Sequence, residues 1–218
     1  EKSYYNALLG SMKPDGSTWG MYAPIMGIRS EGSNQCEMGL NCCVASGPRG
    51  LFTLPLTAVM ANKDGITINF FNGGSYKVKT PAGQFAELIQ ETEYPIQGKI
   101  NMHLKLTNTE QFALAVRIPA WSKQTRLIVN DQPVTNVKAG EYTSITRNWK
   151  ANDKIELEFD MRARIEKIEG HPSWLAIQRG PIVLARDARL AGDADVDETI
   201  TPVLTEDGFV PLEIVKQN

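Results

Sequence analysis

The sequence has few cysteines, few histidines and no long hydrophobic run. Three cysteines in 218 residues are too few, and odd in number, for a disulfide framework. No apolar stretch approaches the ~20 residues that cross a bilayer. The net charge of −2 gives no electrostatic basis for binding nucleic acid or an anionic membrane. We therefore expect neither nucleic acid nor a membrane as a partner.

Familiar catalytic motifs are also absent. The sequence contains no Gly-x-Gly-x-x-Gly, no phosphate-binding loop and no Gly-x-Ser-x-Gly. It has no initiator Met. It also has no signal-peptide pattern, because a helical pattern follows directly after Glu1. We expect the chain to be a piece, or a processed product, of a longer protein.

The distinctive chemistry lies in residues 41–50, Asn-Cys-Cys-Val-Ala-Ser-Gly-Pro-Arg-Gly. Cys42 and Cys43 are adjacent, and a disulfide between adjacent residues strains the peptide that joins them. The pair therefore favours a metal site or a reactive thiol. The alternative is that both are small buried hydrophobic side chains. Cys36 lies a short way upstream.

The first part of the chain has a helical pattern. Apolar residues four apart predict an amphipathic helix over residues 2–12, and a Pro-Asp-Gly turn follows it. Pro48 suits the first turn of a second helix, because its missing N–H would have no partner there. The apolar stripe of this helix runs to Asn62, with a bend expected at Pro55.

From residue 66 onward, apolar and polar residues alternate, which is the period of half-buried strands. The pattern predicts a hairpin over residues 66–78, around Asn72-Gly73-Gly74. Further strands are predicted at 85–94, 100–106, 112–118, 127–129, 142–149, 155–161 and 174–184, with a last hairpin within 203–215. Short strands at this spacing predict an antiparallel β-sandwich whose sheets each have one solvated face.

Few other residues are candidates for a site. His103 lies on a predicted strand and His171 in a turn, and neither has a second His or a Cys at metal-binding spacing. We expect both to be structural. Asp193, Asp195 and Asp197 alternate in an acidic segment without the spacing of an EF-hand, so we expect a solvated charge run.

Several motifs occur in a fixed order between residues 4 and 187. They are Tyr-Tyr-Asn-Ala-Leu-Leu-Gly (4–10), a Pro-Asp-Gly turn (14–16), Asn-Cys-Cys leading to Arg (41–49), Arg-Ile-Pro-Ala-Trp (117–121), Val-Asn-Asp (129–131), Arg-Asn-Trp with Asn-Asp (147–153) and Ala-Ile-Gln-Arg-Gly-Pro (176–181). Together they resemble the β-L-arabinofuranosidase family, glycoside hydrolase family 127 and its relatives, formerly a domain of unknown function.

The resemblance implies a mainly β fold: an antiparallel β-sandwich preceded by a short helical segment that resembles the end of an (α/α)6 barrel. Residues 1–63 would be the C-terminal remnant of that catalytic barrel, carrying the Cys-Cys motif. Residues 64–187 would be the β-sandwich. The resemblance does not cover residues 188–218, which the sequence itself predicts to be a loop-rich C-terminal extension with a final hairpin.

The resemblance also implies an activity, the retaining hydrolysis of terminal β-L-arabinofuranosides. Cys42 would be the zinc-bound nucleophile and Cys43 a further zinc ligand. Zinc keeps a thiol deprotonated near neutral pH, and a thiolate can attack an anomeric carbon. The family's other ligands, in a Glu-x-Cys motif, and its acid/base Glu lie upstream and are absent here. We therefore expect this chain alone to be inactive and to lack zinc.

The alternative function is a non-catalytic β-sandwich module that binds carbohydrate or a protein partner, with unmetallated cysteines. A row of exposed aromatic residues on one sheet face would indicate it. Trp121, Trp149 and Trp174 are the candidates, although each lies in a family motif and is expected in the core. The sequence leaves open the sugar and its linkage, a homo-oligomer, and whether a bacterial parent is cytoplasmic, periplasmic or secreted.

Overall fold

The computed structural model describes residues 1–22, 30–31, 42–185 and 200–213. The helices in these ranges are a π-helix, Ser3–Leu9, and α1, Cys42–Ala58. The strands are β1 (Gly20–Tyr22), β2 (Ser30–Glu31), β3 (Val59–Asn62), β4 (Gly65–Ile68), β5 (Gly74–Lys79), β6 (Phe85–Thr92), β7 (Lys99–Lys105), β8 (Glu110–Arg117), β9 (Arg126–Val129), β10 (Gln132–Pro133), β11 (Tyr142–Trp149), β12 (Asp153–Glu158), β13 (Ala163–Ile168), β14 (His171–Arg179) and β15 (Ile182–Val183). Neither helix is long and apolar enough to cross a membrane.

Two sheets form a β-sandwich, as the alternating sequence pattern predicts. One has six strands in the order β10-β9-β12-β7-β6-β5, and the other has four in the order β11-β8-β4-β3. Neighbouring strands are antiparallel, except that β4 runs parallel to β8. Buried side chains from both sheets form one hydrophobic cluster between them. The prediction of a mainly β, antiparallel sandwich is confirmed.

The core follows directly from the period-two pattern of the strands. On β7, Ile100, Met102 and Leu104 are fully buried, while the residues between them face outward. Trp149, at the end of β11, is also fully buried, and its indole N–H donates a hydrogen bond to the Phe112 carbonyl at 3.1 Å. Each fully buried side chain of this size contributes about 1.5–3 kcal/mol of transfer free energy, so these strands stabilise the fold strongly.

The predicted hairpin over residues 66–78 is wrong. β4 and β5 lie in different sheets, and β4 pairs with β3 and with β8. Residues 69–73 cross from one sheet to the other, and Phe71 is fully buried between them. Two strands of alternating apolar and polar residues, joined by an Asn-Gly-Gly segment, are compatible with a hairpin and with a connection between two sheets. The alternation indicates which side chains are buried, and it does not indicate which strand pairs with which.

The predicted bounds of the second helix are also wrong. α1 begins at Cys42, so Pro48 lies inside it, and it ends at Ala58. Residues 59–62 form β3, which pairs with β4. An apolar stripe of helical spacing continues past Ala58 in the sequence, but β4 offers a strand partner there, and pairing with it replaces the helix.

The chain after the sandwich forms a small three-stranded sheet of β13, β14 and β15. Val210 pairs with Ala163, which attaches residues 200–213 to this sheet. The described part of the predicted last hairpin, up to residue 213, shows that bridge and no paired strands. Asp193, Asp195 and Asp197 lie outside the described residues.

The N-terminal segment, residues 1–9, holds several parts of the fold together. The Tyr5 ring packs edge-on against Tyr94, and its hydroxyl accepts a hydrogen bond from Asn72. The Asn6 side chain donates to the Pro181 carbonyl and accepts from the Val183 N–H, so it holds the start of β15. The helix ends at Leu9, so it is shorter than the predicted 2–12. Through Tyr5 it packs on the sandwich.

Candidate active site

The Cys42–Cys43 pair occupies the first turn of α1. Cys42 is exposed and Cys43 is half-buried, and the two sulfur atoms are 4.0 Å apart. Both are reduced thiols. Because Cys42 is exposed, the alternative of two small buried hydrophobic residues does not hold for the pair. Cys36 lies outside the described residues.

Two glycines let α1 lie close against the N-terminal part of the chain. A Cβ on Gly47 would overlap the Trp19 ring, so only glycine allows the indole to pack there. A Cβ on Gly50 would lie 2.9 Å from a methyl group of Leu8, on the π-helix. The start of α1, with its cysteine pair, is thereby held against residues 8–19.

Cys42 disfavours ionisation of the neighbouring Cys43 thiol. Desolvation, followed by the hydrogen bond and the charge of Cys42, raises the pKa of the Cys43 thiol above its ordinary value. A thiolate next to a second thiolate is unfavourable unless a cation compensates for it. The electrostatics of the pair therefore suit a bound cation.

The spacing of the two sulfurs fits one zinc ion. Two thiolates bound to one tetrahedral zinc, with Zn–S bonds of about 2.3 Å, lie about 3.8 Å apart. The observed separation is 4.0 Å. Within the described ranges no group of three His, Cys, Asp or Glu side chains could hold a metal. The described residues thus supply two of the four ligands that a structural or catalytic zinc needs.

The two histidines have local partners away from the cysteine pair. The imidazole of His103 lies 3.5 Å from the Glu91 carboxylate on the neighbouring strand. His171 stacks on the Trp174 ring, with the ring centroids 4.6 Å apart. Both contacts are typical of structural histidines, as expected from the sequence.

The tryptophans form no exposed row. Trp121 and Trp149 are buried in the sandwich core, as expected. Trp174 is half-buried beside His171. These three tryptophans therefore do not form the row of exposed aromatic residues that would have favoured a carbohydrate-binding module.

A cleft of about 630 Å³ separates the end of the sandwich from residues 205–212. Arg162, one of its cations, stacks on the Phe209 ring at 3.8 Å and donates hydrogen bonds to the carboxylates of Asp160 and Asp207. Hydrogen bonds from Arg162 hold the pKa of the Asp160 carboxyl below its usual value. These contacts join the walls of the cleft to each other, so they account for the charges of Arg162 and Asp207 without a ligand.

The outer face of α1 is apolar and exposed. Phe52 is 69% and Leu56 is 77% exposed, and Val44 lies on the same helix, also exposed. Arg49 is the one charged residue among the seventeen of the helix. A helix that is apolar on all sides is typical of the interior of a larger protein. α1 therefore has the composition of a helix that other structure covers.

Sequence reasoning missed the role of Arg117, at the end of β8. Its guanidinium lies 2.7 Å from the Glu1 carboxylate, and its Nε donates to the Asn69 carbonyl. The Tyr94 hydroxyl donates to the same carboxylate at 2.7 Å. The Arg was visible in a motif, but nothing local pointed to a partner at the other end of the sequence.

Comparison with known proteins supports the family suggested by the motifs. The model of the β-L-arabinofuranosidase GH127 middle domain matches residues 65–161. This range covers most of the six-stranded and four-stranded sheets. Comparison with curated proteins finds no match for this chain.

Solved structures match most of the chain. One, described as a glycoside hydrolase, is 27% identical with a TM-score of 0.70, and the match covers 82% of this chain and 32% of that one. A GH127 β-arabinofuranosidase is 27% identical with a TM-score of 0.68, covering 83% and 31%. A GH127 β-L-arabinofuranosidase from Geobacillus stearothermophilus T6 shares the fold at 22% identity and a TM-score of 0.70, covering 80% and 30%.

The chain spans about a third of the length of these structures. The resemblance of the sequence to the GH127 family is confirmed by the family model and by the GH127 structure at 27% identity. None of these matches assigns a role to Cys42 or Cys43.

Proposed function

We propose that this chain is a portion of a retaining glycoside hydrolase that acts on β-L-arabinofuranosides. Cys42 would be the nucleophile, and Cys42 and Cys43 would bind zinc in the whole protein. The observation that carries the proposal is the thiol pair, with its sulfurs 4.0 Å apart, at the start of a helix that leads directly into a sandwich of the GH127 type.

The proposed chemistry assigns one step to this chain. The Cys42 thiolate attacks the anomeric carbon while a carboxylic acid protonates the departing oxygen, and water later releases the sugar from sulfur. Two displacements at one carbon retain its configuration. Zinc, when bound, supplies the positive charge that keeps the thiols deprotonated near neutral pH. The exposure of Cys42 gives a sugar access to its sulfur.

The carboxylic acid and the remaining zinc ligands would come from the rest of the whole protein. Two features support this part of the proposal. The described residues supply two thiols and no third metal ligand beside them. The apolar outer face of α1 also needs a cover, and the matched structures are about three times as long as the matched region. We therefore propose that the chain by itself does not hydrolyse arabinofuranosides.

The test is the reaction of the whole protein with an aryl β-L-arabinofuranoside, followed by NMR of the anomeric proton. The proposal predicts a first product of retained configuration. It also predicts that Cys42→Ser lowers kcat/KM by about 10⁴-fold or more, because the nucleophile is lost. Ser46→Ala, at an exposed position one turn along the same helix, is the matched control and should keep full activity. Inversion of configuration, or full activity of Cys42→Ser, would contradict the proposal.

A further inference from the structure

The geometry of the cysteine pair favours a bridge through one atom. A direct disulfide needs the sulfurs about 2.05 Å apart and strains the peptide between adjacent residues. Two sulfurs bound to one atom by bonds of about 2.3 Å lie roughly 3.4–3.8 Å apart, depending on the bond angle at that atom. The sulfurs of Cys42 and Cys43 are 4.0 Å apart, so small side-chain rotations suffice for the one-atom bridge.

We propose that this pair binds trivalent arsenicals, ligands that bond to two thiols at one arsenic atom. With phenylarsine oxide, two As–S bonds form and the As=O bond breaks. The two thiol protons leave with the oxygen as water. Arsenic remains trivalent, so the step consumes no oxidant or reductant. Cys42 is exposed and can form the first bond, after which the half-buried Cys43 closes the ring.

Arsenic on both sulfurs would also block the proposed catalytic thiol, and this consequence rests on the proposed function. A glycosidase that uses two carboxylates has no thiol to lose at its active site. In the whole protein the arsenical would take the place of the proposed zinc, so phenylarsine oxide should inhibit the activity with release of zinc. A dithiol with added zinc should reverse the inhibition, and a monothiol at equal thiol concentration should not.

The test is a titration of the full 218-residue chain with phenylarsine oxide, read by intact-protein mass spectrometry. We expect one arsenic per chain. Cys42→Ser and Cys43→Ser should each weaken binding by about 100-fold or more, because the second As–S bond forms within one molecule at high effective concentration. Cys36→Ser keeps the pair and should bind like the unaltered chain.

Unchanged affinity in Cys42→Ser or Cys43→Ser would overturn the inference, and so would loss of binding in Cys36→Ser. The outcome is separable from that of the proposed function. Tight arsenical binding that needs both thiols supports the inference even if Cys42→Ser leaves the glycosidase activity of the whole protein intact. Absence of the adduct overturns the inference even if that activity depends on Cys42.

Discussion

Replacing Arg117 by methionine is expected to lower the free energy of unfolding by about 2–3 kcal/mol. The substitution keeps much of the side-chain volume but leaves the Glu1 carboxylate, which is 7% exposed, without its cation. Removing one partner of a buried ion pair costs about 3–5 kcal/mol. Arg117 is 23% exposed, so water compensates part of this loss and the expected cost falls to about 2–3 kcal/mol.

A double-mutant cycle separates the ion pair from the other contacts of Arg117. Glu1→Gln, Arg117→Met and the double variant are compared by urea unfolding, followed by tryptophan fluorescence. We expect a coupling energy of about 1.5 kcal/mol between the two positions. The matched control is the surface pair Arg126 and Glu158, which is 3.9 Å apart with side chains 69% and 60% exposed, and it should show less than about 0.5 kcal/mol. Equal coupling in the two cycles would refute the assignment of Arg117 as the anchor of the N-terminal segment.

Three further predictions test other parts of the structure. Changing both Phe52 and Leu56 to glutamine should alter the free energy of unfolding by less than about 0.5 kcal/mol, because both side chains are exposed. The same change should lower the binding of a hydrophobic dye. A large loss of stability would show that the outer face of α1 is already packed. Burial raises the pKa of Tyr5 to about 12, so the folded state favours the neutral phenol and its contribution to stability is lost as pH rises from about 10 to 12. Tyr5→Phe should therefore show a smaller loss of stability in urea unfolding over that range, and an identical pH dependence would contradict this. Gly65→Ala should lower the free energy of unfolding by at least about 3 kcal/mol, because the φ of Gly65 is +154° and a Cβ would overlap the Ala113 carbonyl. The control Gly83→Ala should lower it by about 1 kcal/mol, because Gly83 has a φ of +91° and open space around it. Similar losses at both sites would contradict the close pairing of β4 and β8.

The sandwich could be predicted from the sequence because its strands carry their own burial pattern. Ile100, Met102 and Leu104 alternate with outward-facing residues, and this period of two is visible in the order of the amino acids alone. Which strands pair could not be predicted in the same way. The segment around Asn72 connects two sheets, and its turn-forming residues are equally suited to a hairpin.

The two residues of the candidate site could be predicted from the sequence, but their position in α1 and the contacts around them could not. The adjacency of Cys42 and Cys43 is visible in the sequence, and their placement in the first turn of α1 is not, because Pro48 suggested a later helix start. The packing of Gly47 on Trp19 and the link from Arg117 to Glu1 join distant parts of the chain. Local periodicity contains no information about such contacts.

A zinc titration of this chain in competition with a chromophoric chelator tests the central claim most directly. The proposed site has Cys42 and Cys43 as two zinc ligands, and other residues of the whole protein complete it. The proposal predicts weak binding that is lost in purification and that disappears in Cys42→Ser and in Cys43→Ser. Tight binding of one zinc per chain, or binding that neither substitution affects, would contradict it.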